Sequence, residues 1–441
     1  MRTTVFLVLD SMRRDHLGAY NEAIDCTENL DRIAEESVVF EDAVAQAPWT
    51  LPSHASMFTG EYPWEHGATN KNAHLESDGQ TMAERFDRAG YLTAAITPNI
   101  WVTPHKGMTD GFDEVENFLG LGSLTPLQKL YRAGSKLFER LDERVRRPIV
   151  KPLNRLLDAT GIDTTCRSEE TIDAAVEFID AHADEQFFLF VNLMEPHEPY
   201  GPPQEYLDRH DVRDLGSVPD DNEDFFAGET DYDELRKAYT ASVDYTDDLV
   251  GRLDRALSDA GLGDAVLAVA ADHGQALGEA DFFGHQFTVR EEVVSVPLFV
   301  RHPERTSGRE NGLVELRELY RLLPEWAGVE RYDDPGTDAA VGGYEFPDVF
   351  KRYIADDELD YYYRKYRYYR TGEEKLRKER CEDGTMSYTR IDLENGARLD
   401  VDSEHEQLLD SLHDAPDGSG PEHDDEEQAT IEKRLEELGY R

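Results

Sequence analysis

The sequence predicts an α/β fold: a large, mostly parallel β-sheet flanked by helices. Two observations carry this. First, apolar, β-branched-rich runs end in acid. Residues 3–10 close on Asp10, and residues 264–272 close on Asp272, followed by His273. Such runs read as strands buried on both faces, as in parallel sheets. Second, the segments after the first run read as helix, strand and helix in turn, which is βαβ traffic. Ligands in open α/β sheets bind beyond the carboxyl ends of the strands, so both acids lie where a site is expected.

Taken in order, Arg13, Arg14, Asp15 and His16 lead from the first strand into a loop. Residues 27–34 read as a short capped helix and residues 38–40 as a strand, continuing toward Thr50. In APWTLPSHASMFTG, residues 47–60, two prolines bracket Thr50 and hold it extended. Ser53 reads as the N-cap of a helix through Phe58. Thr50 is therefore expected just before a helix N-terminus, where free N–H groups and the helix dipole favour an anion. His66 lies in a turn and reads as structural. A helix over 82–89 and a strand over 91–96 follow, then a loop in which Asn99 and His105 receive no role.

Residues 119–168 are the one basic stretch, with cations such as Lys129, Arg132, Arg140, Arg147 and Lys151 between helically spaced apolar residues. This basic helical insertion pairs with the acidic body, or forms a lid that funnels an anionic substrate, or lies on anionic lipid. A helix over 169–183 leads to a buried strand over 187–193. It delivers Glu195-Pro196-His197-Glu198-Pro199-Tyr200, which holds His197 rigidly between two prolines. Residues 232–260 have the 3.6 periodicity of a long helix, and its Asp244, Asp247 and Asp248 read as solvated or packed rather than metal-binding. His285 follows in a loop. Residues 293–300 read as another buried strand, and 316–323 as the helix that closes the α/β body. The expected organisation is a main α/β unit over 1–330, a small α+β unit over 331–412, and an acidic linker with a terminal helix over 413–441.

The formal charge is −48, from 94 acidic and 46 basic residues spread along the chain. This reads as the acidic, solvating surface that salt-adapted proteins carry, or as a surface for a cationic partner. It argues against nucleic acid as a partner, because phosphate would be repelled. An anionic substrate can still bind where local positive charge is supplied. Cys26, Cys166 and Cys381 are scattered and odd in number, so neither a disulfide framework nor a Cys-based metal site is expected. Nothing reads as a signal peptide, and no run approaches the ~18 apolar residues of a membrane span. The expected location is cytoplasmic.

Two strands ending in Asp, a His after one of them, and a hydroxyl at a helix start make a plausible site for one divalent metal ion. Oxygen ligands with one imidazole suit Mn²⁺, Ca²⁺, Mg²⁺ or Zn²⁺. The predicted ligands are Asp10, Thr50, Asp272 and His273.

Several stretches together resemble the sulfatase family of the alkaline phosphatase superfamily. VLDSMRRDHLGAY is similar to its N-terminal metal strand, and PWTLPSHASMFTGEYPWEHG to its nucleophile signature. NLMEPHEPYGPP is similar to its substrate-binding His loop, and AADHGQALGEADFFGHQF to its second metal segment. The resemblance implies an alkaline phosphatase-like fold ending in a small antiparallel sheet, formed here by strands over 374–380 and 386–393. It implies a hydrolase for sulfuric or phosphoric esters. Thr50 takes the nucleophile position, His54 stands where the family usually has Arg, and His197 and His285 bind ester oxygens or protonate the leaving group. His54 is expected to join them in binding substrate. Ser11 stands where many members carry a second Asp.

Thr50 also departs from the Cys or Ser that the family oxidises to formylglycine. A secondary alcohol cannot give an aldehyde, so no formylglycine is expected and Thr50 would attack directly. That tilts the expectation toward a phosphodiesterase or a phospho-alcohol transferase. The substrate would be a small anionic ester or a glycan- or lipid-linked precursor. A catalytically inactive binding module is the alternative of another class.

Overall fold

The computed structural model describes residues 2–70, 72–75, 79–118, 167–331, 337–345, 351 and 353–412. The expectations for the basic insertion up to residue 166, and for 413–441, lie outside these residues. The main sheet begins with β1 (Thr4–Leu9), β2 (Val38–Val44), β3 (Leu92–Thr97), β4 (Glu114–Asn117), β5 (Phe187–Leu193) and β6 (Val266–Ala271). A separate two-stranded ribbon follows, β7 (Ala276–Leu277) and β8 (Phe283–Gly284). The main sheet resumes with β9 (Ser295–Val296), β10 (Leu298–Arg301) and β11 (Gly308–Glu315). Its order is β11-β2-β10-β6-β1-β5-β3-β4, with β9 added on β2.

β6, β1, β5, β3 and β4 are mutually parallel, and β10 runs against β6 and β2. Every residue of β1, β5 and β6 is buried. This explains why their sequences are apolar on both faces apart from Thr4 and Asn192: helices cover both faces, so alternation has no use. Phe188 of β5 stacks on Phe86 at 4.1 Å, and Phe190 meets Phe58 edge-on at 5.0 Å. These contacts seat the helices Met82–Arg88 and Thr50–Thr59 on the sheet.

Two expectations need correction. The helix carrying Thr50 starts at Thr50 itself, with Trp49 in extended backbone as its N-cap. The first turn needs no backbone donors, so Pro52 is accommodated inside it, and Ser53 is freed from capping. Gly60 ends this helix at φ 76°, where an added Cβ would lie 2.7 Å from the Tyr320 ring. The strand expected over 293–300 is divided. Glu291–Val294 is a helical turn, and Pro297, which has no N–H for a ladder, separates β9 from β10. Asp247, expected to be solvated or packed, is packed. It accepts from the Asn29 and Leu30 N–H groups at 3.0 and 2.7 Å, capping the helix Glu28–Glu35 from a distance.

The antiparallel sheet runs β12 (Ala340–Tyr344), β13 (Arg364–Arg370), β14 (Glu374–Cys381), β15 (Met386–Asp392) and β16 (Arg398–Leu399). It docks on the segment that leads to Thr50. The Tyr368 hydroxyl donates to the Ala45 carbonyl, and the Gly343 N–H donates to the Gln46 carbonyl at 2.9 Å.

His66 has the structural place expected of it. It is fully buried, its Nε2 lies 3.0 Å from the Ser56 hydroxyl, and its Nδ1 accepts from the Ala68 N–H at 3.1 Å. Burial lowers its pKa to about 3. The folded value is below the unfolded one, so its stabilisation is whole above about pH 6.5 and is lost as pH falls toward 3. In urea titrations across that window, His66→Gln is expected to flatten the loss by up to one proton, about 1.4 kcal/mol per pH unit. Identical slopes in the two proteins would refute this.

Candidate active site

The topology gathers the chemistry on one sheet edge. β1 and β6 pair in register through Leu9 and Ala271, so Asp10 and Asp272 emerge side by side. β5 ends level with them, at Leu193, whose carbonyl accepts from the Asp10 N–H at 2.9 Å. β2 runs antiparallel to β10, and β10 to β6, so β2 points the same way as β6 and delivers Thr50 to that edge.

Asp10, Asp272 and His273 have no exposed surface. The His273 Nδ1–H donates to the Gly274 carbonyl at 3.0 Å, which leaves Nε2 as a bare lone pair. That lone pair faces Asp10 Oδ1 at 3.5 Å and Asp272 Oδ2 at 3.4 Å. Neither Nε2 nor Asp272 Oδ2 has a hydrogen-bond partner. Three acceptors converging in a dry pocket repel one another unless a cation lies among them. The donor set therefore fits a divalent metal. Without one, burial raises both carboxyls to about 7, with Asp272 adding to the shift of Asp10, and burial lowers His273. The Thr50 hydroxyl reaches Asp10 Oδ2 at 3.4 Å from the first position of its helix.

His54 lies behind Thr50 with no exposed surface. Its Nδ1–H donates to the Thr50 carbonyl at 3.0 Å and lies 3.4 Å from Asp272 Oδ2. Burial lowers its pKa to about 3, so the ring is neutral. Ser53, released from capping, donates to the Asp272 carbonyl at 2.6 Å.

His197 and His285 form the opposite wall, their ring centroids 5.0 Å apart, and His285 stacks on His273 at 4.4 Å. The His197 Nδ1–H donates to the Glu198 carbonyl. Burial opposes a charge on His197, but Glu198 and Asp10 raise its pKa. Burial and the neighbouring imidazoles hold His285 well below the usual histidine value. The structure thus brings together all seven residues predicted for the site.

It also adds residues that sequence reasoning missed. The Asn99 amide donates to Asp10 Oδ2 at 2.9 Å, the same oxygen that Thr50 approaches. Ser11, at φ 60°, turns its N–H to Asp272 Oδ1 at 3.3 Å and its hydroxyl to Asp10 Oδ1 at 3.1 Å. Glu198 lies 3.7 Å from His197 Nδ1 and 3.8 Å from His285 Nδ1, and the Gln275 amide donates to it. Asn99 follows β3 at the same sheet edge, and that was the one available signal. Glu198 sat in plain view beside His197 but resembled an ordinary loop acid. His16 stands outside this group, its ring edge-on to Tyr239 and its Nδ1 3.1 Å from Asp15. Among the described residues, no helix is long and apolar enough to cross a membrane.

A family model described as Sulfatase matches residues 2–329. The chain is 26% identical over 352 residues to the uncharacterized sulfatase YidJ of Escherichia coli, covering 74% of this chain and 68% of that protein. Its fold is similar to that of a protein solved in complex with its substrate D-glucosamine-2-N,6-O-disulfate. The TM-score is 0.66 at 15% identity, covering 100% of this chain and 98% of the other. It is also similar to the phosphonate monoester hydrolase of Agrobacterium radiobacter, with a TM-score of 0.65 at 15% identity, covering 100% and 96%.

Proposed function

The chain belongs to the sulfatase family and is an ester hydrolase, and on that premise we propose a metal-dependent enzyme that cleaves a sulfuric or phosphoric ester through Thr50, with phosphoryl chemistry favoured. One observation carries the reading. A hydroxyl at a helix N-terminus lies 3.4 Å from a carboxylate whose neighbours leave a bare imidazole nitrogen pointing at them. Asp10, Asp272, His273 and the Thr50 hydroxyl would hold the metal. When bound, it neutralises the carboxylates and makes the threonine hydroxyl easier to deprotonate.

The chain's own residues supply the rest. His54 fixes the first helical turn through the Thr50 carbonyl, which holds Oγ1 in place. Thr50 gives up its proton toward Asp10 Oδ2, and Oγ1 attacks phosphorus as the bond to the leaving oxygen breaks. His197, whose pKa is raised, donates a proton to that oxygen, and His285 holds a nonbridging oxygen. Water then attacks the phosphothreonine, freeing Thr50 and the phosphate product. An alcohol in place of water would give a phospho-alcohol transferase. A threonine cannot become formylglycine, and a sulfothreonine lacks the exit that an aldehyde hydrate provides, so attack on sulfur is the weaker route. Small anionic esters, including sulfated or phosphorylated sugars and lipid-linked precursors, are the substrate class. The sulfated sugar bound by one structural neighbour and the phosphonate ester hydrolysed by the other support that class.

The test is turnover of an aryl sulfate, an aryl phosphate and a diaryl phosphate in molar salt, after chelation and readdition of Mn²⁺, Ca²⁺, Mg²⁺ or Zn²⁺. Chelation is expected to abolish turnover, one of these ions to restore it, and a phosphate ester to be the fastest substrate. Fastest turnover of the sulfate would overturn the phosphoryl preference. Chelation without effect would remove the metal from the mechanism. A protein that takes up metal yet turns over none of the three would favour the binding module.

A further inference from the structure

Two strands of the second sheet assemble a basic patch in a chain with 94 acids and 46 bases. β13 and β14 pair so that Lys365 faces Arg380 and Arg367 faces Lys378. Side chains two apart on a strand share a face, so all four cations stand on the same one. Directly opposed like charges repel, yet here two such pairs lie side by side. Cross-strand neighbours are about 5 Å apart and next-but-one residues about 7 Å, so the cations mark the corners of a small rectangle.

These four line a groove of about 280 Å³ with Glu345 and Met386. Its mouth is open: Arg380 is exposed, Met386 is 37% exposed, and a Cβ on Gly384 would meet nothing within 4 Å. Gly343 stands opposite Arg367, and its missing side chain lets the guanidinium cross β12. A Cβ there would lie 2.7 Å from Arg367 Nη1.

Neighbouring carboxylates offset only part of this charge. Glu345 receives Lys365 at 3.1 Å and Arg367 at 2.9 Å. Asp410, on the helix Ser403–Ser411, receives Lys378 at 2.8 Å. The two acids of the β14–β15 turn are engaged elsewhere, Glu382 with Lys351 and Asp383 with the Thr385 N–H at 2.7 Å. Among the described residues, no carboxylate pairs with Arg380. An anion with matching spacing would relieve the repulsion.

We propose that this face of the second sheet binds an oligoanion, a molecule carrying sulfate or phosphate groups on neighbouring carbons or neighbouring sugars. The cations take the anionic oxygens, with the Arg367 guanidinium already oriented by Glu345, and Met386 covers an apolar ring face. The groove shares no residue with the active site, so it does not depend on the reading of Thr50. Arg367 and Glu345 also line a smaller cleft with Trp49, Pro52 and Trp64. Two sources therefore share this chemistry: the far part of a substrate whose ester lies at Thr50, and a separate molecule.

The experiment is an isothermal titration of the full chain with sucrose octasulfate in roughly 0.3 M and roughly 1 M KCl. A chain of charge −48 repels this probe overall, so binding reports a local site. Saturable binding is expected at the lower salt and weaker binding at the higher. Lys365→Gln combined with Arg380→Gln should weaken it roughly tenfold or more. Both side chains reach solvent, and an unchanged melting temperature checks that the variant is folded. Lys129→Gln combined with Arg132→Gln, in the basic stretch of the sequence, should bind like the unaltered chain. No binding by the unaltered chain would overturn the site, as would undiminished binding by the Lys365 and Arg380 variant. Loss confined to the Lys129 and Arg132 variant would overturn it too, by placing the probe on that stretch. Turnover of a diaryl phosphate separates the two sources. Competitive inhibition by the probe, lost in the Lys365 and Arg380 variant, supports the groove as part of the substrate's path. Binding with KM and kcat unchanged supports it as the site of a separate molecule.

Discussion

Thr50→Ala is expected to lower ester turnover by roughly 10⁴-fold or more, the scale seen when a covalent nucleophile is removed. The helix start and the sheet edge would remain, because alanine suits a first-turn position and the substitution leaves the Thr50 carbonyl that His54 holds at 3.0 Å. Binding of a substrate analogue should therefore persist while the chemical step is lost. Thr50→Ser keeps a hydroxyl in the same place and should retain most of the rate. The competing nucleophile is Ser11, whose hydroxyl lies 3.1 Å from the other oxygen of Asp10. Acid quenching during turnover of a phosphate ester separates them. The phosphoryl group should be found on the peptide spanning residues 47–60 and should be missing from Thr50→Ala. A phosphoryl group on the Ser11 peptide, or undiminished turnover in Thr50→Ala, would refute the assignment.

Why the site was so legible follows from how parallel sheets work. β1, β5 and β6 are buried on both faces, so their sequences are apolar apart from Thr4 and Asn192, and the first charged residue after each marks where the strand leaves the core. Asp10 and Asp272-His273 stood out for that reason. Their distance from one another in sequence is irrelevant once the strands pair in register. The contributions that stayed hidden come from residues with no such boundary. Asn99 is an amide in a loop, and only the fold shows that it reaches Asp10 Oδ2. Glu198 is one acid among 94, in a chain where an acid is the default surface residue. Composition masks a buried carboxylate there. The start of the Thr50 helix was misread because Ser53 has the chemistry of an N-cap. Its hydroxyl is instead drawn to the Asp272 carbonyl, a tertiary partner that local propensity cannot report.

The same masking applies to the contacts that hold the second sheet on the first, and here the expected effect on stability is large. Glu291→Ala should destabilise the protein by roughly 3 kcal/mol, the lower end of what breaking a buried ion pair costs. Glu291 receives the Lys375 ammonium at 2.8 Å and the Arg370 guanidinium at 3.0 Å. The two cationic side chains are only 2% and 5% exposed, whereas a third of the Glu291 side chain meets solvent. That exposure moderates the loss. Against the burial that would raise it, Lys375 and Arg370 hold the Glu291 carboxyl down to about 2. Its contribution is therefore present above about pH 4.5 and is lost as pH falls toward 2. Arg370 keeps a second partner in Asp42 at 2.7 Å. Lys375 would keep the Val289 carbonyl and the face of the Tyr368 ring, 4.6 Å away, but no anionic partner among the described residues.

The orphaned Lys375 charge therefore accounts for most of the cost. Lys375→Met, which removes the charge and fills the space, should be far milder than Glu291→Ala. Combining the two should recover much of the lost stability. Chemical denaturation in molar salt measures all three, since a chain of net charge −48 repels itself at low ionic strength. Equal losses in Glu291→Ala and in the double variant would place the cost in something other than the stranded lysine. Because this sheet also grips the Ala45 and Gln46 carbonyls just before Thr50, Glu291→Ala should slow turnover at temperatures where the chain remains folded. The double variant should recover that activity together with its stability.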